Sequence, residues 1–337
     1  MRLLVLSSSA VRSVLGYSEC ADAMREALIA RARGEVFQPL RTVLRPPTAP
    51  GLMGLMPAYQ QGKQAGYGLK AICITPGNPA AGLDTHQGIV LLSSSATGEP
   101  LAVLNASAVT EIRTAAVSAV ATSLLANSDA DVLAIIGTGV QARAHLHAIG
   151  GSRRLAEVRV AGSTQDKAAK FAAEMADSVG EGARLVAAAS VRDAVQGASI
   201  VVTATNSAEP VIKRGWLSPG VHINAVGACL PHTRELDTAT VADAALFADS
   251  RESAIAEAGD YVLAAADGAV GPDHIQAEIG DLLAASEREP GLGLARTAER
   301  EITVFESLGL AIEDLAAANV AYQAATERGA GTWVDFD

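Results

Sequence analysis

The most constraining stretch of this chain is Gly137-Thr138-Gly139-Val140-Gln141-Ala142, a GxGxxA element between an apolar run, Asp131–Ile136, and a helix-patterned segment, Val140–Ile149. Out of a strand, Gly137 can make a tight turn, Gly139 lets backbone approach a pyrophosphate at a helix N-terminus, and Ala142 permits close helix–sheet packing. A glycine-rich turn alone is a weak signal. The strand before it and the helix after it turn it into a dinucleotide-binding signal. The chain that follows alternates in the same way, with strands at Val158–Ala161, Val186–Ala189, Ile200–Thr203 and His222–Val226, and helices at Thr164–Ser178 and Val191–Gln196. Ala244–Asp249 is predicted as the last strand. Such alternation predicts an α/β fold with a Rossmann doubly wound parallel sheet.

Before this region the texture differs. Met1–Leu6 reads as a strand, and Tyr17–Arg33 carries helical spacing. Short runs follow at Thr42–Leu44, Leu52–Met56, Tyr67–Ile74, Gly88–Leu92 and Leu101–Leu104, punctuated by Pro46-Pro47, Pro76-Gly77-Asn78-Pro79 and Gly98-Glu99-Pro100. That is the pattern of antiparallel strands with tight turns, the last two joined as a hairpin. Glu111–Leu125, rich in alanine, is predicted helical. A final helix, Leu310–Arg328, is expected to pack back on this first, α+β domain. With 337 residues, two domains are expected.

Composition sets limits on partners. The chain is 49% hydrophobic, 19% charged and carries a net charge of −11, which suits a globular protein and argues against a nucleic-acid partner. Its mean hydropathy of +0.24 comes from Ala, Val and Leu dispersed among polar residues, so no membrane partner is expected. Cys20, Cys73 and Cys229 are isolated, without CxxC spacing, which fits a reducing cytoplasm. Leu3–Leu6 is too short for a signal-peptide core. His145 and His147 are two apart on a helix and face different ways, so no metal site is expected.

Five lysines stand against twenty-one arginines, so a lysine in an apolar segment is conspicuous. Lys70 lies in Gly66-Tyr67-Gly68-Leu69-Lys70-Ala71-Ile72, Arg41 follows Pro39-Leu40, and Arg113 opens Arg113-Thr114-Ala115-Ala116. Cations on apolar elements are costly to bury unless they meet an anion. For each alone a structural salt bridge is the commoner explanation; the three together suggest a clamp for a small carboxylate. For the dinucleotide, an NAD site places Asp or Glu after the second strand, where this chain has Gly162-Ser163-Thr164. Ser163 and Thr164 could accept a 2′-phosphate or simply cap a helix, so NADP is favoured over NAD, with NADPH or NADH as the reduced cofactor.

Arg113–Ala116, Gly137–Ala142, Ile223-Asn224-Ala225-Val226-Gly227-Ala228, Glu235-Leu236-Asp237 and Leu308-Gly309-Leu310-Ala311-Ile312-Glu313-Asp314 occur in the order seen in the ornithine cyclodeaminase/mu-crystallin family, which the chain resembles over nearly its whole length. Leu55-Met56-Pro57-Ala58-Tyr59 is most similar to the mu-crystallin, ketimine-reducing branch. The resemblance implies a homodimer, with a substrate-binding and dimerisation domain over residues 1–118 and 308–337 and a dinucleotide-binding domain over 119–307. It implies that Arg41, Lys70 and Arg113 are the substrate-carboxylate and catalytic cations. Thr85, His86, Arg113, Thr114, Gly137, Gly139, Val140, Gln141, Ser163, Thr164, Thr205, Asn206, Val226 and Ser307 fall where members contact the dinucleotide. Cys229 and Glu278 match positions facing the substrate. The cyclodeaminases carry an Asp where this chain has Cys229, and a Glu where it has Gly54. Loss of both carboxylates disfavours a diamino acid substrate and a self-recycling NAD cycle. The implied activity is NAD(P)H-dependent reduction of a small cyclic 2-imino acid of the Δ1-pyrroline-2-carboxylate or Δ1-piperideine-2-carboxylate type. Reductive amination of a 2-oxo acid, as in alanine dehydrogenase-like members, ornithine or lysine cyclodeamination and a non-catalytic binding role remain as alternatives.

Overall fold

The computed structural model describes residues 1–62, 64–289 and 296–336. Two compact units result, one of Met1–Arg113 with Gly309–Asp337 and one of Thr114–Leu308. The first unit opens with β1 (Arg2–Leu6), α1 (Ser8–Val14), whose first turn is capped by the Ser7 hydroxyl, and α2 (Tyr17–Ala32). Then come β2 (Val36–Phe37), β3 (Thr42–Leu44), β4 (Leu52–Gln60), β5 (Gly66–Ile74), β6 (His86–Ser94) and β7 (Pro100–Asn105). β4 to β7 form an antiparallel meander in which Lys70 pairs with Met56 on one side and Val90 on the other. α3 (Ala106–Leu125) starts five residues before the sequence pattern predicts, because the Asn105 side chain accepts the N–H of Ala108 at 3.0 Å and caps the extra turn. By length and composition α3 could cross a bilayer, but it is largely buried, as the core helix of a globular fold is.

The second unit runs β8 (Val132–Ile136), α4 (Val140–Ser152), β9 (Glu157–Ala161), α5 (Gln165–Glu174), β10 (Arg184–Ala187), α6 (Val191–Val195), β11 (Ile200–Thr203), β12 (His222–Ala225), α7 (Thr238–Asp243), β13 (Ala245–Ala248), α8 (Arg251–Glu257), α9 (Gly259–Ala266), β14 (Ile275–Glu278), α10 (Ile279–Arg288) and β15 (Thr303–Glu306). The strands make one parallel sheet in the order β10-β9-β8-β11-β12-β15-β13-β14. This is the doubly wound sheet expected, with one correction. Ala245–Ala248 does not end it: β14 and β15 follow, and β15 inserts between β12 and β13. Both are four residues long, too short to display a period, and each ends in a glutamate. The helix predicted over Thr164–Ser178 also divides, α5 stopping at Glu174 before a 3-10 turn at Ala176–Ser178.

The chain then returns to the first unit as α11 (Ala311–Arg328) and β16 (Thr332–Asp335). β16 pairs antiparallel with β1, and β1 parallel with β7, giving a mixed sheet in the order β16-β1-β7-β6-β5-β4-β2 with β3 on β4. α11 packs on α2 and on β4, β5 and β6. Strand side chains alternate between faces, so Lys70 lies on the buried side with Gly68 and Ile72. The register puts Phe37, Leu44, Met53, Tyr67 and Ile89 on the other side, where all five are exposed.

Candidate active site

In the first unit the three conspicuous cations converge on one segment, the start of α11. Lys70 Nζ lies 2.8 Å from Asp314 Oδ2. Arg113 donates from Nη1 to Glu313 Oε2 at 2.9 Å and from Nε to Asp314 Oδ1 at 3.2 Å. Arg41 donates from Nη2 to the Gly309 carbonyl at 3.0 Å. Lys70, Arg113, Glu313 and Asp314 are all buried. The local sequence makes this possible in two ways. Gly309 adopts a left-handed backbone, φ +80°, and a side chain there would fall onto the Arg113 guanidinium. Glu313 and Asp314 sit in the first turn of α11, where the positive end of the helix favours carboxylates, and the Gln38 side chain accepts the N–H of Ile312 at 2.9 Å. Burial, with Arg113 and Arg41 nearby, lowers the Lys70 ammonium to about 8 against the pull of Asp314. The cluster is therefore three cations around two carboxylates, with one ammonium able to give up a proton near neutral pH.

In the second unit the glycine turn is built as its sequence implies. Gly137 has φ +126° and donates its N–H to the Ala161 carbonyl at 2.9 Å; a side chain there would strike the Ala204 carbonyl. Gly139 is the N-cap of α4 and gives it no side-chain cap; the first turn contains no acid, and the space where a Cβ of Gly139 would stand is open. The N-terminal N–H groups of a helix need an acceptor, and an anion fills that need. Val140 and Gly139 are exposed and Gln141 is half-buried. One turn over, Ser163 and Thr164 are exposed at the start of α5, and Thr164 caps it by accepting the N–H of Lys167. Lys167 Nζ lies 3.0 Å from Ser163 Oγ. These residues fit the pyrophosphate of a dinucleotide at α4 and leave a hydroxyl–ammonium pair after β9.

Residues 1–329 match the family model described as the ornithine cyclodeaminase/mu-crystallin family. The chain belongs to this family. The chain is 39% identical over 290 residues to ketimine reductase mu-crystallin of Mus musculus, covering 86% of this chain and 85% of that protein. It is 36% identical over 335 residues to a Delta(1)-pyrroline-2-carboxylate reductase of Bacillus cereus, covering 99% of this chain and 100% of that one. Among solved structures it is similar to Thermococcus litoralis Delta(1)-pyrroline-2-carboxylate reductase in complex with NADH and L-proline, with a TM-score of 0.91, 35% identity and coverage of 98% and 99% of the two chains.

The remaining positions that the family resemblance singles out divide between the units. In the first, Thr85 is half-buried and His86, at the start of β6, keeps about half of its side chain accessible; its N–H is held by Asp84 at 2.9 Å, and partial desolvation of the ring lowers the pKa of the imidazole. In the second, Thr114 is buried on α3. Thr205 and exposed Asn206 follow β11, Val226 and half-buried Cys229 follow β12, and buried Ser307 follows β15. All these stretches lie at the carboxyl ends of parallel strands, where ligands bind in open α/β sheets. Glu278 ends β14 and its Oε1 accepts the N–H of Arg251 at 2.8 Å, holding the first turn of α8. Three residues of consequence escape the sequence reading. Glu313 and Asp314 carry a signal, two adjacent acids in an apolar helix start. Lys167 carries a subtler one, a cation in the first turn of α5, just past the Ser163-Thr164 cap.

Proposed function

We propose that this chain is an NAD(P)H-dependent reductase of small cyclic 2-imino acids, converting a C=N bond of the Δ1-pyrroline-2-carboxylate or Δ1-piperideine-2-carboxylate type to the cyclic amino acid. The observation that carries the reading is the convergence of Arg41, Lys70 and Arg113 on Gly309–Asp314, where Lys70 and Arg113 pair with Asp314 and Glu313 and Arg41 bonds the Gly309 carbonyl, gathering three cations suited to a carboxylate. Arg41 and Arg113 orient the substrate carboxylate, and Arg113 is itself fixed by Glu313 and Asp314. Lys70 Nζ holds the proton that the imine nitrogen takes up, with a pKa matched to that task by burial. When bound, the reduced nicotinamide supplies the hydride to the imine carbon. In the second unit, Gly137, Gly139, Val140 and Gln141 hold the pyrophosphate, while Thr205, Asn206, Val226 and Ser307 line the rest of the dinucleotide.

NADPH is the preferred donor on this reading, because Ser163, Thr164 and Lys167 offer two hydroxyls and an ammonium to a 2′-phosphate, and the turn Gly162–Thr164 itself carries no acid, the first being Asp166 on α5. Replacing Lys167 by Ala is expected to raise KM for NADPH roughly fivefold to tenfold, the size of one exposed charge-assisted hydrogen bond, and to leave KM for NADH unchanged. A homodimer is also proposed, since the exposed row Phe37, Leu44, Met53, Tyr67 and Ile89 is an apolar sheet face that a second copy would cover. The deciding assay follows NADPH oxidation with each cyclic imino acid, in the wild type and in Arg41→Ala. A fall in kcat/KM of roughly tenfold to a hundredfold in the variant is expected. Absence of turnover with every 2-imino acid refutes the reading, and turnover that needs a 2-oxo acid plus ammonia replaces it.

A further inference from the structure

Beyond the residues that the mechanism uses, the second unit buries a group of acids beneath its carboxyl edge, and one of them has an unusual set of partners. We propose that Glu235 is a positioning residue for the dinucleotide, fastening the loop after β11 to the loop after β12 through its two carboxylate oxygens. Glu235 is fully buried. Its Oε1 accepts the N–H of Thr205 at 2.6 Å and its Oε2 accepts the N–H of Gly227 at 2.7 Å. One side chain therefore satisfies one backbone donor from each of two neighbouring loops, and each loop carries a residue placed at the dinucleotide, Thr205 in one and Val226 in the other.

The fastening extends to the glycine turn. Ala204, just before Thr205, presents the carbonyl against which Gly137 packs without a side chain. Thus Gly137, Ala204, Thr205, Glu235 and Gly227 make one continuous chain of contacts across three loops of the sheet edge. Gly227 is required by the same geometry, since a Cβ there would stand 2.6 Å from Glu235 Oε1 and collide with the Thr205 carbonyl. Glu235 is held from behind by Asp260, whose Oδ1 accepts the N–H groups of Glu235 at 2.7 Å and Leu236 at 2.8 Å.

The chemistry demands a carboxylate. Two N–H donors need two acceptor atoms, and a glutamine would present one acceptor and one donor, the latter facing an N–H. Glu235, Asp260 and Glu306 lie together with the equally buried Asp249, and burial and like charge oppose ionisation of the group. Burial and mutual repulsion push Asp260 up to about 7 and Glu306 well above the usual carboxylate range. Burial raises Glu235 too, against the N–H groups of Thr205 and Gly227; what sets it apart is that both of its oxygens accept an N–H, whereas among the described residues Asp260 Oδ2 and Glu306 Oε1 have no hydrogen-bond partner.

The inference rests on the dinucleotide reading, and the test separates the two. NADPH and NADH are titrated by fluorescence into the wild type, Glu235→Gln and Gly227→Ala, at a temperature where circular dichroism shows each folded. Both variants are expected to lose roughly tenfold to a hundredfold in dinucleotide affinity, the size of one hydrogen bond to a charged group. Equal affinity in a folded Glu235→Gln overturns the proposal; a wild type that binds neither dinucleotide overturns the reading beneath it as well. A purely structural role would lower Tm with Kd unmoved. Hydrogen exchange on the wild type decides the case in which the variants do not fold. The Thr205 and Gly227 amides are expected to be protected in the free protein, and rapid exchange at both would overturn the proposal.

Discussion

Each unit buries ionised groups, and the two solve the problem in opposite ways. In the first, Lys70 and Arg113 are met by Glu313 and Asp314, so charge answers charge, and Arg41 bonds the Gly309 carbonyl beside them. In the second, Glu235, Asp260 and Glu306 are met by backbone N–H groups and by protons. In the first unit the counter-ions are fixed by the fold, at the start of one helix. Where dipoles do the holding, burial pushes the acids' pKa values up and the carboxylate oxygens are engaged in holding backbone.

The difference can be broken first by removing one partner from each cluster. Asp314→Ala leaves both Lys70 and Arg113 short of an anion and is expected to cost about 3–5 kcal/mol in urea unfolding. Glu306→Gln removes an acid that burial already disfavours, and is expected to be neutral or stabilising at pH 8. Similar losses in the two variants would mean that the clusters do not differ as described.

The rate of imine reduction sharpens the contrast next. Lys70 is protonated below about 8, so kcat/KM is expected to hold level at lower pH and to fall toward tenfold per pH unit above it. Arg in place of Lys70 stays charged to beyond about pH 12, so the variant should be slower and show no such fall. A fall near pH 8 that survives Lys70→Arg removes Lys70 as the proton holder.

Stability against pH gives the mildest effect, with opposite signs for the two units. Asp260 is raised from 3.8 to about 7, so the folded state binds the extra proton and stability declines as pH climbs between those values. Lys70 is lowered from 10.5 to about 8, so the unfolded state binds the extra proton and stability rises across that interval. Each slope stays below about 1.4 kcal/mol per pH unit, the ceiling for one proton. Asp260→Asn should flatten the acid limb and Lys70→Met the alkaline one, read from denaturant midpoints.

Much of this is legible in the sequence, and the omissions share a cause. The glycine turn is readable because its residues are contiguous and each type has a backbone reason. Lys70 and Arg113 are readable because a cation in an apolar run is anomalous by itself. Their anions are not, because Glu313 and Asp314 open a helix, where acids are ordinary. β14 and β15 escape because strands of four residues are too short to show alternation. Glu235 is visible only as a family landmark; nothing local says that its two oxygens reach Thr205, 30 residues earlier, and Gly227.

The return of α11 to the first unit also sets an order of events during synthesis. Arg113 and Asp314 are 201 residues apart, and at about 5–20 residues per second a ribosome needs roughly 10–40 s to travel between them. Through that interval the nascent first unit carries Lys70 and Arg113 without the two carboxylates that receive them, and the inner face of its sheet lacks the helix that covers it. The parallel sheet of the second unit is complete in sequence before α11 emerges. Translation therefore delivers the glycine turn and its parallel sheet first and the Lys70–Arg113–Glu313–Asp314 cluster last, so α11 and β16 act as the keystone of the first unit.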